Sequence, residues 1–126
     1  MKTISTPSAP AAIGPYSQAV AHNGIVYCSG QIGISPSGDW AGDDAASQAK
    51  QVLANLEAVL SAAGSSPSNV IRSTVFLASM DDFAVVNEVY ASFFGDHRPA
   101  RACIEAKRLP KDALVEISVI ATTQSS

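Results

Sequence analysis

Short apolar runs separated by turn residues dominate the first third of the chain. Two of these runs, 17–21 and 25–29, flank the tripeptide His22-Asn23-Gly24. Because Asn-Gly adopts the positive φ angles of a tight turn at little steric cost, the pattern predicts a β-hairpin. Three glycines then interrupt the next segment: Gly30, Gly33 and Gly38. Glycines so placed indicate bulges or turns, where backbone can approach a ligand.

One stretch, 44–63, repeats apolar residues at the spacing of an amphipathic helix. Asp43 or Asp44 can cap its first turn, because a carboxylate accepts bonds from the free N–H groups there. Gly64 follows the last apolar position and is typical of a helix end. The pattern therefore predicts one long helix with a buried face.

A second helix is predicted between positions 79 and 95. Ser79 or Asp81 can cap its start, and Gly95 ends it. Its apolar residues fall on one stripe: Phe83, Val86, Tyr90, Phe93 and Phe94. We interpret this aromatic stripe as part of the core, since helices of globular domains bury such a face.

Segments rich in β-branched and apolar residues predict three more strands: 70–78, 101–107 and 114–121. The last two are separated by a turn at 109–112, in which Pro110 presets φ and Asp112 can bond the backbone. The order of elements is then strand, strand, helix, strand, helix, strand, strand. This order predicts an α+β fold with a mixed, mostly antiparallel sheet and two helices on one face. In so short a chain nothing remains to cover the other face, so we expect self-association.

Composition favours one compact domain spanning 1–126. Apolar residues make up 47% of the chain and charged residues 15%, which is typical of a folded domain. The formal charge is −3 without a basic cluster, which argues against nucleic acid or an anionic membrane as partner. The chain has neither an apolar run of signal-peptide character at its start nor a run long enough to span a bilayer. We therefore expect a cytoplasmic protein.

Cysteine and histidine placement gives no sign of a metal site. Cys28 and Cys103 both fall in predicted strands, and we interpret them as reduced, buried thiols. His22 and His97 lie far apart in turn-like settings, and no zinc-binding spacing is present. We expect no metal.

Two charged residues are the first candidates for chemistry. Arg101 stands at the mouth of a strand directly after Pro99-Ala100, where a guanidinium could bind a carboxylate through two parallel bonds or be an ordinary surface charge. Glu116 faces opposite to Val115 and Ile117 in an alternating strand. Its carboxylate could position or deprotonate a water molecule, or could be a solvated side chain on the wet face.

Three uncharged side chains are weaker candidates. Cys103 could act as a nucleophile only if a nearby base or positive charge lowered its pKa, and His97 is the one histidine near it in sequence. A small buried cysteine is the competing interpretation. Tyr16 and Ser29 could donate hydrogen bonds to a ligand or serve in ordinary packing.

Five segments taken together resemble the signatures of the RidA/YjgF reactive intermediate deaminase family. They are Gly14-Pro15-Tyr16, Ser29-Gly30-Gln31-Ile32, Phe83-Ala84-Val85-Val86-Asn87, Pro99-Ala100-Arg101-Ala102-Cys103 and Leu109-Pro110-Lys111-Asp112-Ala113-Leu114-Val115-Glu116-Ile117. The resemblance covers almost the whole chain, and the order of arginine, Leu-Pro-Lys-Asp turn and Glu-Ile is far more specific than any single segment.

The resemblance implies a chorismate-mutase-like α+β fold, assembled as a homotrimer with clefts at its subunit interfaces and no cofactor. In that family the position of Arg101 holds the substrate carboxylate, and the position of Glu116 orients or activates the hydrolytic water. The resemblance also implies four further cleft residues: Tyr16, Ser29, Gly30 and Cys103. The position of Cys103 contributes mainly through its backbone. The implied reaction is hydrolysis of small 2-imino or enamine acids, such as 2-aminoacrylate and 2-iminobutanoate, to 2-keto acids and ammonia.

A different class of function competes with this one. The same trimer could be a non-catalytic module that binds small ligands or proteins, since relatives are linked to translation inhibition, ribonuclease activity and chaperone-like behaviour. Ribonuclease action is disfavoured because the acidic chain has no basic patch. Two departures from the family pattern, Gly33 in place of a proline and a short segment 95–99, predict altered cleft walls.

Overall fold

The computed structural model describes residues 1–123, and residues 124–126, part of the predicted domain, lie outside the described residues. The main elements are β1 (Lys2–Ile4), β2 (Ala19–His22), β3 (Ile25–Ile32), α1 (Ala45–Ala62), β4 (Val70–Leu77), α2 (Phe83–Phe94), β5 (Ala100–Glu105) and β6 (Val115–Thr122). Short 3₁₀ turns lie at Pro67–Asn69, Met80–Asp82 and Pro110–Asp112. The predicted order is confirmed, with β1 as an additional strand that the sequence pattern did not indicate. No helix among the described residues is long and apolar enough to span a membrane.

The strands form one six-stranded sheet in the order β1-β2-β3-β6-β4-β5. All neighbouring strands are antiparallel except β4 and β5, which are parallel and joined through α2. The α+β fold with a mixed, mostly antiparallel sheet is therefore confirmed. The predicted hairpin is β2–β3, and its turn residues Asn23 and Gly24 have φ angles of 52° and 78°, as a tight turn of this kind requires.

The core lies between one face of the sheet and the two helices. In β6 the side chains of Val115, Ile117 and Val119 are buried, whereas the alternate positions are only partly covered. These buried side chains belong to the same cluster as the apolar faces of α1 and α2, so both helices cover one face, as predicted. The aromatic stripe also contributes to the core: Val86, Tyr90 and Phe94 are buried, and Phe83 and Phe93 pack partly buried against them.

The helix caps follow the prediction in α1 and differ from it in α2. Asp44 is the α1 cap, since its Oδ1 accepts a bond of 2.8 Å from the N–H of Ser47. Ser79 instead caps the preceding 3₁₀ turn, where its Oγ accepts from the N–H of Asp81. The α-helix itself begins at Phe83, so the prediction that Ser79 or Asp81 caps it directly is wrong. The 3₁₀ turn already satisfies the N–H groups that those side chains could have capped.

Gly33 brings the end of β3 against α1. A Cβ at this position would lie 2.6 Å from Gln48 Cβ and 2.7 Å from Gln48 Cα. Buried Asn55 secures the same segment, because its Nδ2 donates to the carbonyls of Ile32 and Ile34 at 3.3 and 2.9 Å. Gly33 therefore permits helix–sheet packing, and the expectation that it alters a cleft wall stays a prediction.

The Gly33→Ala variant is expected to lower the free energy of unfolding by about 1–3 kcal/mol, because the added methyl group meets helix backbone that cannot move aside cheaply. Urea unfolding followed by circular dichroism measures this loss. A variant that unfolds at the same urea concentration as the parent would mean that α1 shifts freely at this contact.

Candidate active site

A cavity of about 600 Å³ opens beside β3 on the side of the sheet away from the helices. Its lining includes a carboxylate, an ammonium group and several apolar side chains. Among them are four of the predicted site residues: Tyr16, Ser29, Gly30 and Glu116. The cavity therefore brings these four together within one chain, while Arg101 and Cys103 lie elsewhere.

A β-bulge in β3 shapes the floor of the cavity. Cys28 pairs with Val119 of β6, but the next pair is Gln31 with Ile117, so Ser29 and Gly30 together oppose one residue. The sequence predicted bulges or turns at the glycines of this segment, and the bulge at Gly30 is confirmed. A Cβ on Gly30 would overlap Glu116 Oε2. Gly30 is therefore the residue that makes room for this carboxylate.

Glu116 projects into the cavity from β6. It pairs with Phe76 of β4 and Ile32 of β3, and faces away from the buried Val115 and Ile117, as the alternation predicted. The side chain is half-buried, and this burial raises the pKa of the carboxyl above its ordinary value. A carboxylate with a raised pKa is a better proton acceptor than an exposed glutamate once it is ionised.

Ser29 holds one side of the bulge in place. Its Oγ donates a hydrogen bond of 2.6 Å to the carbonyl of Ser17, and its N–H donates to the carbonyl of Gln18. Because the hydroxyl hydrogen is already used, Ser29 offers a ligand an acceptor lone pair rather than the donor that the sequence suggested.

The N-terminal segment forms a wall of the cavity. Buried Gln18 fixes it, accepting from the N–H of Thr6 at 2.7 Å and donating to the carbonyl of Pro10 at 2.7 Å. Ile13 and Tyr16, which line the cavity from this segment, are 85% and 55% exposed. Apolar side chains so exposed on a fixed wall are available to contact a ligand or a second chain.

The Pro110–Asp112 turn supplies another wall, through Pro110 and Lys111. Lys111 and Asp112 have positive φ angles of 55° and 57°. The sequence suggested that the Asp112 carboxylate bonds the backbone, but within residues 1–123 it pairs with Arg108 instead, at 2.6 Å. That ion pair lowers the pKa of Asp112. Sequence reasoning missed Lys111 as a lining residue, although it lies inside the Leu-Pro-Lys-Asp signature.

Arg101 lies on the opposite side of the sheet from Glu116. In the parallel pairing of β4 and β5 it stands opposite Ser73, whose hydroxyl bonds that of Tyr90 on α2 at 2.5 Å. The guanidinium donates to Asn87 Oδ1 at 2.7 Å and lies 4.8 Å from the ring centre of Tyr90. Arg101 thus lines a separate hollow of about 500 Å³ beside α2 and the short segment 95–99.

Cys103 follows on β5 and packs partly buried against the core. Burial raises the pKa of its thiol, and the positive charge of Arg101 offsets this only in part. His97 bonds the carbonyl of Val70 through Nε2 at 2.6 Å. The thiol is thus kept protonated and the imidazole is occupied, which disfavours a nucleophilic role for Cys103. Burial likewise raises the pKa of Cys28, to about 12.

Comparison with known proteins gives consistent matches along the chain. A family model described as Endoribonuclease L-PSP matches residues 6–123. The 2-iminobutanoate/2-iminopropanoate deaminase of Escherichia coli strain K12 is 46% identical over 123 residues, which cover 95% of this chain and 96% of that protein. A RutC family protein of Pyrococcus horikoshii is 49% identical over 121 residues, or 95% of this chain and 96% of that protein.

Solved structures agree with the sequence matches. The crystal structure of E. coli TdcF with bound serine superimposes on this chain with a TM-score of 0.94, at 43% sequence identity. The match covers 98% of this chain and 100% of that one. The chorismate-mutase-like fold that the resemblance implied is thereby confirmed.

Proposed function

The chain belongs to the RidA/YjgF family, and from this membership we propose that it is a deaminase that hydrolyses small 2-imino acids to 2-keto acids and ammonia. The observation that carries the proposal is the half-buried Glu116 carboxylate, which faces a partly apolar cavity large enough for such a substrate and a water molecule. A relative of nearly half identical sequence is named as a 2-iminobutanoate/2-iminopropanoate deaminase.

The reaction requires one water molecule and proton transfers. An enamine such as 2-aminoacrylate tautomerises to the imine, and water then adds to the imine carbon while Glu116 accepts one of its protons. The nitrogen takes up that proton, which gives the neutral carbinolamine. A second proton then moves from the carbinolamine hydroxyl to the nitrogen, the C–N bond breaks to release ammonia, and the C=O bond of the 2-keto acid forms. Positioned proton transfer of this kind contributes about 10²–10⁴-fold to a rate.

The substrate carboxylate needs a positive partner, and Arg101 is the proposed one. In one chain Arg101 and Glu116 face opposite sides of the sheet and stand two strands apart, on β5 and β6 with β4 between them. A single chain therefore cannot place both groups on one small substrate. A cleft shared by two copies of the chain can, if one copy supplies Arg101 and the next supplies Glu116.

The uncovered face of the sheet supports such an assembly. It carries several apolar side chains, among which Tyr27 and Ile104 are 49% and 51% exposed. Phe76 and Ile120 lie between them on the same face and are only partly covered. An exposed apolar face of this kind marks an interface. We propose a closed homotrimer, as the family resemblance implies, because a head-to-tail contact between identical chains forms a ring where its rotation closes.

A subunit-mixing experiment tests the shared site. Arg101→Ala and Glu116→Gln, each almost inactive alone, are expected to regain activity when equal amounts are unfolded and refolded together. Random assembly leaves both groups intact in about one quarter of the interface sites, so roughly a quarter of the parent activity is expected. Separate refolding of each variant is the control.

Ammonia release from freshly generated 2-iminobutanoate is the assay, with sedimentation equilibrium to establish the mass of the assembly. No recovery on mixing, with the trimer formed, would mean that each chain carries its own complete site. RNA cleavage by the same preparation without ammonia release would replace the deaminase proposal with ribonuclease activity.

A further inference from the structure

The guanidinium of Arg101 is held by a set of neutral groups on α2, here called the guanidinium clasp: Asn87, Tyr90 and Phe83. Asn87 Oδ1 accepts a bond of 2.7 Å from Nη1. The rings of Tyr90 and Phe83 lie under the guanidinium carbon at 4.8 and 5.7 Å from their centres. Tyr90 is itself fixed, because it is buried and its hydroxyl bonds that of Ser73.

The clasp holds Arg101 without neutralising it. Within residues 1–123 no carboxylate lies within 4 Å of this guanidinium, whereas Arg108 is paired with Asp112 at 2.6 Å. The positive charge of Arg101 also acts on Cys103: it lowers the pKa of the thiol, whereas burial raises that pKa by more. An aspartate in place of Asn87 would have almost the same shape and would pair with the guanidinium, so the neutral amide leaves the charge available.

We infer that Asn87 is a positioning residue, which fixes the direction of Arg101 through a neutral acceptor so that the guanidinium charge remains available to the substrate carboxylate. The inference rests on the proposed deaminase function, in which Arg101 binds that carboxylate. In this role Asn87 has no direct part in binding the substrate. It acts through Arg101, so its replacement changes the binding of anions before it changes the chemical step.

The decisive variant is Asn87→Asp, which keeps the shape of the side chain and adds a negative charge beside Arg101. Loss of one charge-assisted contact to the substrate carboxylate is expected to raise KM about tenfold or more, with a smaller change in kcat. Asn87→Ala, which loosens the guanidinium but leaves it charged and stacked on Tyr90, is expected to raise KM less. Asn23→Asp, in the exposed β2–β3 turn, makes the same charge change far from Arg101 and is expected to match the parent.

A purely structural role for Asn87 predicts the reverse order. The nearly isosteric aspartate would then leave KM at the parent value, and alanine would be the more harmful change through lower thermal stability. Thermal unfolding and sedimentation of each variant establish that the assembly is intact. A parent-like KM for Asn87→Asp would overturn the inference and leave the deaminase proposal standing.

Binding of the unreactive product analogue 2-oxobutanoate, measured by calorimetry, separates the two proposals further. If the parent protein releases no ammonia but binds 2-oxobutanoate, the deaminase proposal fails, and weaker binding by Asn87→Asp than by Asn23→Asp still supports the role of the clasp. Equal binding by those two variants overturns it. A parent protein that neither binds nor turns over would overturn both.

Discussion

Replacing Arg101 with alanine is expected to reduce ammonia release from 2-iminobutanoate by at least about 10²-fold without unfolding the protein, since misplacing a substrate by about 1 Å already costs that much. Arg101 is exposed on β5 and is not itself part of the buried core, so its loss is expected to leave the fold intact. It removes the one group proposed to hold the substrate carboxylate.

Arg101→Lys is the more informative companion. Lysine keeps the charge but offers a single ammonium in place of a planar pair of donors, and it loses the bond to Asn87 that fixes direction. Attraction for the carboxylate should therefore survive better than its orientation. We expect turnover between that of the parent and that of the alanine variant, with kcat affected as well as KM.

Lys50→Ala is the matched control, because it removes one positive charge from an exposed position on the outer side of α1. Its turnover should equal that of the parent. Steady-state rates of the parent and the three variants, with the assembly checked in each by sedimentation, make the comparison. Parent-like turnover in Arg101→Ala would remove the carboxylate-anchor role and most of the case for deaminase activity.

Alternation along the chain was sufficient to predict where Glu116 points. Buried valine and isoleucine at every second position of β6 leave one orientation for the strand, and the glutamate then faces away from the helices. The same reasoning identified both helices and the β2–β3 hairpin, because each has a strong period or a specific turn.

The direction of Arg101 could not be predicted in this way. β5 carries partly or largely exposed residues throughout, so no buried face defines its orientation. Its register with β4 defines it instead, and parallel pairing joins residues far apart in the sequence. Asn87 was part of a recognised signature, but its contact with Arg101 depends on the packing of α2 against this edge of the sheet.

Gly33 illustrates the same limit from another side. In the sequence, Gly33 stands where the family pattern has a proline, near the expected cleft. In the structure the space that it leaves is filled by α1, because its missing Cβ would meet Gln48. Gly30, three residues earlier, leaves space for Glu116 instead. Only tertiary contacts distinguish a glycine that serves packing from one that serves the site.

Glu116→Gln is expected to slow hydrolysis by about 10²-fold or more while substrate binding and assembly are retained. The amide preserves the shape of the side chain but cannot accept a proton from the attacking water. Because burial raises the pKa of Glu116, the parent rate should fall on the acid side at a pH above that of an exposed glutamate. The group must be ionised to act as a base, so activity is present above its pKa and lost as the pH falls through it. In Glu116→Gln this acid limb should disappear from the remaining rate.

Gly30→Ala reaches the same carboxylate without changing it chemically. The added Cβ would overlap Oε2 of Glu116, and a flexible side-chain end can swing away, so the cost appears in the position of the base rather than in the fold. Turnover should therefore drop as in Glu116→Gln, while urea unfolding stays close to that of the parent. Gly33→Ala supplies the contrast, since there the added methyl group meets backbone and stability should fall. If Glu116→Gln retained the parent rate and the acid limb in an intact assembly, the carboxylate would not be the base. Loss of activity in Gly30→Ala would then have to come from the β-bulge backbone.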